Sequence, residues 1–187
     1  MLKKIAWIAG ILVLVVAGYI GFILLTTKNH SPAAVAEYAS EDFSITVNYC
    51  QPYKKGRLIF GSESQNALVP YGMKWRTGAN EATEISFNSN VMIDGKVLKA
   101  GTYSLYTIPE ESAWTVVFNS KLGYWGAKLG GDPFEESMDV MRVTATATNN
   151  EPEVEQFTIS FTPADSLVNM NFYWDKTRAT FSMQPTQ

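Results

Sequence analysis

The chain has 187 residues, of which 46% are hydrophobic and 13% aromatic, so it can form one packed domain and is not intrinsically disordered. Its single cysteine, Cys50, excludes an internal disulfide and paired-cysteine metal or redox motifs. From position 31 onward, 12 basic residues face 18 acidic ones. The resulting formal charge of −6 argues against a nucleic-acid-binding protein.

The N-terminal segment predicts a membrane anchor. Residues 5–25 contain no charged side chain, and a helix of this length spans about 31 Å, close to the hydrocarbon core of a bilayer. Lys3 and Lys4 precede it, so residues 1–4 should stay in the cytoplasm and the C-terminal body should be exported. We therefore expect a single-pass inner (cytoplasmic) membrane protein with a periplasmic or other extracytoplasmic body, its partner being the lipid bilayer. A cleaved secretory signal and a buried soluble helix are the alternatives.

The rest of the chain divides into a polar linker over residues 26–36 and a β-rich domain over residues 37–187. Strand-like alternation begins at Phe43, and Asp94-Gly95 is a hairpin turn signal between two short apolar runs. Further strands are expected at 102–108, 114–118, 140–148, 155–161, 167–174 and 177–183, with a tight turn at Asp175-Lys176. Residues 119–139 are expected to form a long loop, in which Asp132 could cap one helical turn.

The spacing of these elements predicts an all-β fold. No segment of the body has a sustained apolar period near 3.6 residues, and turn signals recur about every 8 to 12 residues. The pattern is typical of an antiparallel β-sandwich, of which a jelly roll is one form, preceded here by one N-terminal transmembrane helix.

Five sequence motifs carry a family resemblance. They are KGRLIFG at 55–61, VPYGMKWRTGANEAT at 69–83, AGTYSLYTIP at 100–109, WTVVFN at 114–119 and WDKTRATF at 174–181. In this order they resemble the bacterial family of unknown function DUF2911, and the resemblance covers nearly all of the chain after the linker. It implies a β-rich exported domain, and it implies no particular activity or ligand.

The densest cluster of varied chemistry lies at residues 68–83, from which we select Tyr71, Trp75, Arg76, Asn80 and Glu81 as candidate ligand-binding residues. An arginine offers a planar fork of donors to carboxylate or phosphate, and a tryptophan offers a stacking face. These residues beside Gly78 could form a pocket for a small anionic or carbohydrate ligand. Alternatively, Arg76 pairs with Glu81 or Glu84 and holds a corner of the sandwich.

Other polar residues have structural interpretations. Arg57, Arg142 and Arg178 should pair with nearby acids, although they could instead converge with Arg76 on one cleft. The aromatic residues Tyr71, Tyr103, Tyr106, Trp125 and Trp174 are expected in the core. The acidic residues Asp132, Glu135, Glu136 and Asp139 lack the spacing of an EF-hand, so a solvated turn is favoured over a calcium site. Cys50 should be a small buried hydrophobe.

The sequence contains few residue combinations that are suited to catalysis. His30 is the only histidine and lies next to the apolar segment, so a Ser-His-Asp site is excluded. Glu81 with Glu84 or Asp175 could form the carboxylate pair of a glycosidase. The sequence therefore favours a non-enzymatic envelope protein that binds a small ligand, a glycan or an envelope partner, with no cofactor and no metal. A glycan-directed envelope hydrolase using Glu81 and a purely structural interaction module remain as alternatives.

Overall fold

The computed structural model describes residues 2–125 and 133–186. Within these two ranges a single α-helix, α1 (Leu2–His30), precedes eleven β-strands. Two short 3-10 helices lie at Glu63–Gln65 and Glu136–Met138. The strands are β1 (Ala33–Ala39), β2 (Ser44–Cys50), β3 (Phe60–Gly61), β4 (Val69–Pro70), β5 (Thr83–Phe87), β6 (Val91–Ile93), β7 (Lys96–Leu98), β8 (Gly101–Pro109), β9 (Ala113–Asn119), β10 (Asp139–Ala164) and β11 (Leu167–Pro185).

Nine of these strands form one sheet, in the order β1-β2-β5-β8-β9-β10-β11-β6-β7. Every neighbouring pair in it is antiparallel. The strands β3 and β4 pair in parallel as a separate two-stranded ribbon. The predicted all-β, antiparallel fold is thus confirmed.

The sheet folds over on itself because its two longest strands bend. The pairing of β10 with β11 shifts register between Asn149 and Val154 and again between Val154 and Thr158. Beyond this point β10 faces β1 and β2, with Tyr38 against Phe161 at 6.4 Å and Tyr49 against Phe157 at 5.8 Å between ring centroids. The two halves of the folded sheet enclose the apolar core, as the layers of a sandwich do.

The two-residue alternation predicts the buried face of β2 correctly. The apolar members Phe43, Ile45, Val47 and Tyr49 are all buried, because successive side chains of a strand point to opposite faces. The predicted hairpin at Asp94-Gly95 is also confirmed. Its two turn residues have φ of 49° and 72° and join β6 to β7.

The tight turn predicted at Asp175-Lys176 is wrong, because both residues lie inside β11. Asp175 has a φ of 55° and is opposite Val154 at the register shift, so it is an irregularity in a continuous strand. Aspartate tolerates this left-handed backbone conformation in bulges as well as in turns, and the sequence alone does not distinguish the two. The chain reverses instead at Asp165, between β10 and β11.

Most of the predicted linker, residues 26–36, belongs to a helix and a strand. The helix α1 continues to His30, with the Thr26 hydroxyl donating to the Phe22 carbonyl at 2.8 Å, and β1 begins at Ala33 as the edge partner of β2. Only Ser31 and Pro32 separate helix and sheet. The turn expected to begin at Asp132 lies outside the described residues; the short helix Glu136–Met138 follows it.

Residues 9–20 of α1 carry no charge and are all exposed. Residues 9–30 have a mean hydropathy of 2.5 over the most apolar window, none of which is buried against the body. The helix is therefore long and apolar enough to cross a membrane, as the sequence predicted.

Candidate functional site

The turn between Trp75 and β5 has an unusual backbone. Thr77, Gly78 and Asn80 have φ of 55°, 157° and 59°, values that are rare for residues with a Cβ and costly for a β-branched threonine. A Cβ at Gly78 would lie 3.0 Å from the Cys50 carbonyl oxygen and 3.0 Å from the Thr83 hydroxyl. Only glycine fits at position 78 without displacement of its neighbours.

Hydrogen bonds of buried threonine hydroxyls stabilise this turn. Thr77, Thr83 and Thr107 are completely buried, and the Thr77 hydroxyl donates to that of Thr107 at 3.2 Å while the Thr83 hydroxyl donates to the Thr77 carbonyl at 2.8 Å. These bonds satisfy polar groups that have no access to water. Sequence reasoning missed all three threonines; a threonine directly before glycine in a loop is at most a weak signal of such a site.

Trp75 belongs to the core. Only 9% of the residue is exposed, and its indole N–H donates to the Gly78 carbonyl at 3.1 Å. Its ring stacks on that of Trp174 at 5.6 Å and contacts Phe157 at 4.9 Å. The stacking partners of this ring are therefore other aromatic residues of the protein, and Trp75 fixes the position of the neighbouring Arg76.

Among the described residues, Arg76 has no acidic partner. Its guanidinium is half-buried and Nη1 donates to the Asn80 carbonyl at 3.3 Å, while no carboxylate of the described residues lies within 4.0 Å. Burial lowers the pKa of Arg76, and nearby Tyr124 offsets part of that effect. The pairing with Glu81 or Glu84, one of the two alternatives from the sequence, is absent.

Arg76 lines a cavity of about 360 Å³, which we call the Arg76 pocket. Three further basic side chains, from His30, Lys55 and Arg57, line it together with the rings of Trp75 and Trp174, and its described lining includes no carboxylate. The guanidinium of Arg57 is held by the Lys54 carbonyl at 2.9 Å. The pocket is thus a concave site of positive charge with an aromatic wall.

Glu81 lines a different cavity of about 620 Å³, which we call the Glu81 pocket. Its other polar lining residues include Lys28, Cys50 and Glu84, and Tyr124 and Trp125 contribute aromatic surface. Lys28 Nζ lies 3.0 Å from Glu81 Oε1, and the Cys50 thiol donates to Oε2 at 3.4 Å. Glu84 instead accepts a bond from the Gly123 N–H at 2.9 Å.

These contacts set the protonation of the Glu81 pocket. Burial raises the pKa of Glu81, but bonds from its own backbone N–H, from Lys28 and from Cys50 outweigh it and leave the pKa below its usual value. Burial also raises the pKa of the Cys50 thiol; a bond from Asn80 lowers it and Glu81 raises it further, with a net increase. Glu81 is therefore ionised and Cys50 is protonated at neutral pH.

The five candidate residues thus do not form one site. Trp75 and Arg76 line the first pocket, and Glu81 lines the second. Asn80 lies between them, where its side-chain amide donates to the Ser31 carbonyl at 3.2 Å and ties the turn to the end of α1. Tyr71 lines neither pocket and packs at the margin of the core.

A second polar cluster, the Asp139 cluster, was not predicted. The buried Tyr106 hydroxyl donates to both Asp139 carboxylate oxygens, at 3.0 and 2.9 Å, and Asn119 Nδ2 donates to Oδ1 at 2.8 Å. Arg142 donates to Oδ2 from Nε at 3.0 Å and from Nη2 at 2.6 Å, and pairs with Glu136 at 3.4 Å. Burial and the bond to Asp139 raise the pKa of Tyr106.

The other residues selected from the sequence lie in several parts of the structure. Of the remaining arginines, Arg57 converges with Arg76, Arg142 pairs with acids, and Arg178 is exposed outside both pockets. Tyr106 and Trp174 are buried as expected, Tyr103 packs on the core, and Trp125 lines the Glu81 pocket. Within the described residues no group of three metal-ligating side chains is present, and Asp132 of the acidic loop lies outside them.

Fold and site together define a class: an antiparallel β-protein with an N-terminal helix able to cross a membrane and a cationic pocket beside the end of that helix. The sequence profile of DUF2911, a protein family of unknown function, matches residues 31–183, and the chain belongs to this family. The resemblance seen in the sequence motifs is thus confirmed. Searches of curated proteins and of solved structures gave no match.

Proposed function

We propose that the protein is a membrane-anchored, non-enzymatic β-domain of the cell envelope that binds a small anionic ligand in the Arg76 pocket. The observation that carries this proposal is the half-buried guanidinium of Arg76, which has no carboxylate partner among the described residues. An arginine removed from water without a counter-ion costs free energy, and a bound anion would recover it.

The surroundings of Arg76 support the same ligand chemistry. Arg57, Lys55 and His30 bring further donors to one cavity, and guanidinium groups bind carboxylate or phosphate oxygens through paired hydrogen bonds. The cavity volume of about 360 Å³ suits a small ligand or the charged end of a larger one.

The Glu81 pocket gives less support to the hydrolase alternative. The general acid of a glycosidase needs a raised pKa, whereas the contacts of Glu81 with Lys28 and Cys50 keep its pKa low. Both of its carboxylate oxygens already have a partner. Glu81 therefore acts, in this proposal, as a contact between α1 and the body.

The membrane anchoring in this proposal rests on α1. Its apolar length matches a bilayer, and Lys3 and Lys4 at its start favour a cytoplasmic N-terminus and an exported body. Fractionation should place the full chain in the inner membrane with residues 31–187 accessible to protease from the outer side. A mature N-terminus near residue 26 would contradict the anchor and favour a cleaved signal.

The binding test uses the full chain in detergent and a panel of simple anions: phosphate, pyrophosphate, sulfate and short dicarboxylates. A ligand that binds only the folded state raises the unfolding temperature, so at least one anion should do so for the unmodified protein. The shift should be lost in Arg76→Gln and retained in Arg178→Gln, because Arg178 is exposed and outside the pocket. An equal shift in both variants would refute the assignment.

A further inference from the structure

The position of the Arg76 pocket along the axis of α1 is the starting point. The uncharged segment ends at Leu25, and His30, which lines the pocket, follows five residues later in the same helix. At 1.5 Å per residue this places His30 about 7.5 Å beyond the hydrocarbon core. A headgroup layer is about 5 to 8 Å thick on each side of a bilayer, so His30 would lie at its outer boundary.

The body is fixed to this end of the helix by several contacts. Lys28 pairs with Glu81 at 3.0 Å, Lys55 Nζ lies 3.3 Å from His30 Nδ1, and the Asn80 amide donates to the Ser31 carbonyl at 3.2 Å. Only Ser31 and Pro32 separate α1 from β1. These contacts hold the pocket beside the helix end rather than at the distance that a flexible linker would permit.

The charge at this end of the body is opposite to that of the whole. Residues 31–187 carry a formal charge of −6, whereas the charged side chains that line the Arg76 pocket, those of Lys55, Arg57 and Arg76, are all cationic. An acidic body is repelled by an anionic membrane surface, and a basic pocket at the membrane-proximal end is attracted to it. The asymmetry therefore favours a ligand that belongs to the membrane.

We infer that the Arg76 pocket binds the phosphate of an anionic glycerophospholipid headgroup in the leaflet at which α1 ends. The inference rests on the proposed function, since it requires both the anion site and the membrane anchor. The phosphodiester accepts hydrogen bonds from the guanidinium of Arg76 and from Lys55, while the acyl chains stay in the bilayer. A free phosphate shares this chemistry, and the experiment must separate the two sources.

The test compares the unfolding temperature of the full chain in three nanodisc samples. The first contains phosphatidylcholine alone, the second contains one third phosphatidylglycerol, and the third contains phosphatidylcholine with dissolved inorganic phosphate. The unmodified protein should unfold at least about 5 °C higher in the second sample than in the first, the shift expected for a site filled at roughly 100 times its Kd. Arg76→Gln and the exposed Lys55→Gln should each lose most of this shift, and Arg178→Gln should keep it.

Each other outcome decides the question. A shift with dissolved phosphate but not with phosphatidylglycerol overturns the lipid inference and leaves the anion site standing, whereas no shift in either sample overturns both. A phosphatidylglycerol shift that Arg76→Gln and Lys55→Gln retain reports general surface charge and also overturns the inference. If both additions produce the shift, phosphate added to the phosphatidylglycerol discs should add nothing, because one site cannot be filled twice; a further increase would place the lipid elsewhere.

Discussion

Arg76 and Arg142 are two arginines of the same domain in opposite surroundings. Arg142 lies near the start of strand β10 and donates two bonds to Asp139, with Glu136 beside it. Arg76 precedes a turn with three positive φ values, is half-buried, and has one long bond to a backbone carbonyl. The guanidinium of Arg142 has its counter-ions in the protein, whereas that of Arg76 has N–H groups without an acceptor among the described residues.

The contrast separates a structural arginine from a candidate binding one. Paired charges at a strand surface stabilise the fold modestly and need no ligand. A strained turn that holds in a cavity a cation with no carboxylate partner in the described part of the chain costs free energy, and such strain is concentrated at functional sites. Substitutions at the turn, in the Asp139 cluster, at the two arginines and at Glu81 test this difference, in decreasing order of expected effect.

Gly78→Ala should destabilise the domain most, by about 3 kcal/mol, because the new Cβ would meet the Cys50 carbonyl and the Thr83 hydroxyl at 3.0 Å in a backbone conformation that favours glycine. Denaturant unfolding measures this loss. Gly56→Ala is the matched control: its φ is 69° but nothing lies within 4 Å of the added Cβ, so strain alone should cost about 1 kcal/mol. Equal losses would show that the turn is not tightly packed.

Asp139→Ala should cost about 2 kcal/mol, because it leaves the buried Tyr106 hydroxyl and one N–H of the Asn119 amide without an acceptor; the other amide N–H keeps the Glu135 carbonyl. Thermal unfolding monitored by near-UV circular dichroism measures the loss. The exposed Glu136→Gln serves as the control and should change stability much less, because its carboxylate remains hydrated. A loss as small as that of the control would mean that water replaces Asp139.

Arg142→Gln should cost about 1 kcal/mol, since Asp139 loses its cation at a partly exposed site. Arg76→Gln should cost at most about 0.5 kcal/mol, because no carboxylate among the described residues depends on it. Parallel urea titrations of the two variants decide between the two roles. A larger loss for Arg76→Gln would restore the interpretation of Arg76 as a structural corner.

Glu81→Gln should have the smallest effect and a characteristic pH dependence. The folded-state pKa of Glu81 lies below its ordinary value of 4.5, so its contribution is present above about pH 4.5 and is lost as the pH falls through the folded-state pKa. The carboxylate side chain is 44% exposed, so this contribution should be under about 0.5 kcal/mol. Unfolding temperatures of variant and unmodified protein should differ at pH 7 and converge in acid as the pH falls through the folded-state pKa of Glu81; a constant difference would argue against the ion pair with Lys28.

Local patterns in the sequence predicted the local structure well. Alternation identifies the buried face of β2, and Asp94-Gly95 marks a hairpin, because both depend on neighbouring residues only. The error at Asp175 has the same origin: a positive φ at aspartate is a local property, whereas its place in a continuous strand depends on Val154 in β10. The strand β1 was missed because its neighbour β2 and the core, not its alanine-rich sequence, determine its conformation.

The candidate site was predicted only partially, for a related reason. The sequence identifies Trp75 and Arg76 by their chemistry, but the partners that make one a core residue and the other a pocket residue come from distant segments. Phe157 and Trp174 bury the indole of Trp75, and Lys28 of the helix takes the carboxylate of Glu81 that could have paired with Arg76. These contacts involve residues outside 68–83, so no residue spacing within that segment predicts them.

The packing of Trp75 also constrains how the protein is made. Its ring contacts Phe157 and Trp174, which belong to the two C-terminal strands of the chain, β10 and β11. During synthesis, the part of the chain that has emerged from the ribosome can pair β2, β5, β8 and β9. Their apolar face stays uncovered until β10 and β11 have been made. We therefore expect cooperative folding to follow synthesis of the last strand, so that truncation before β11 yields a protease-sensitive chain rather than a smaller stable domain.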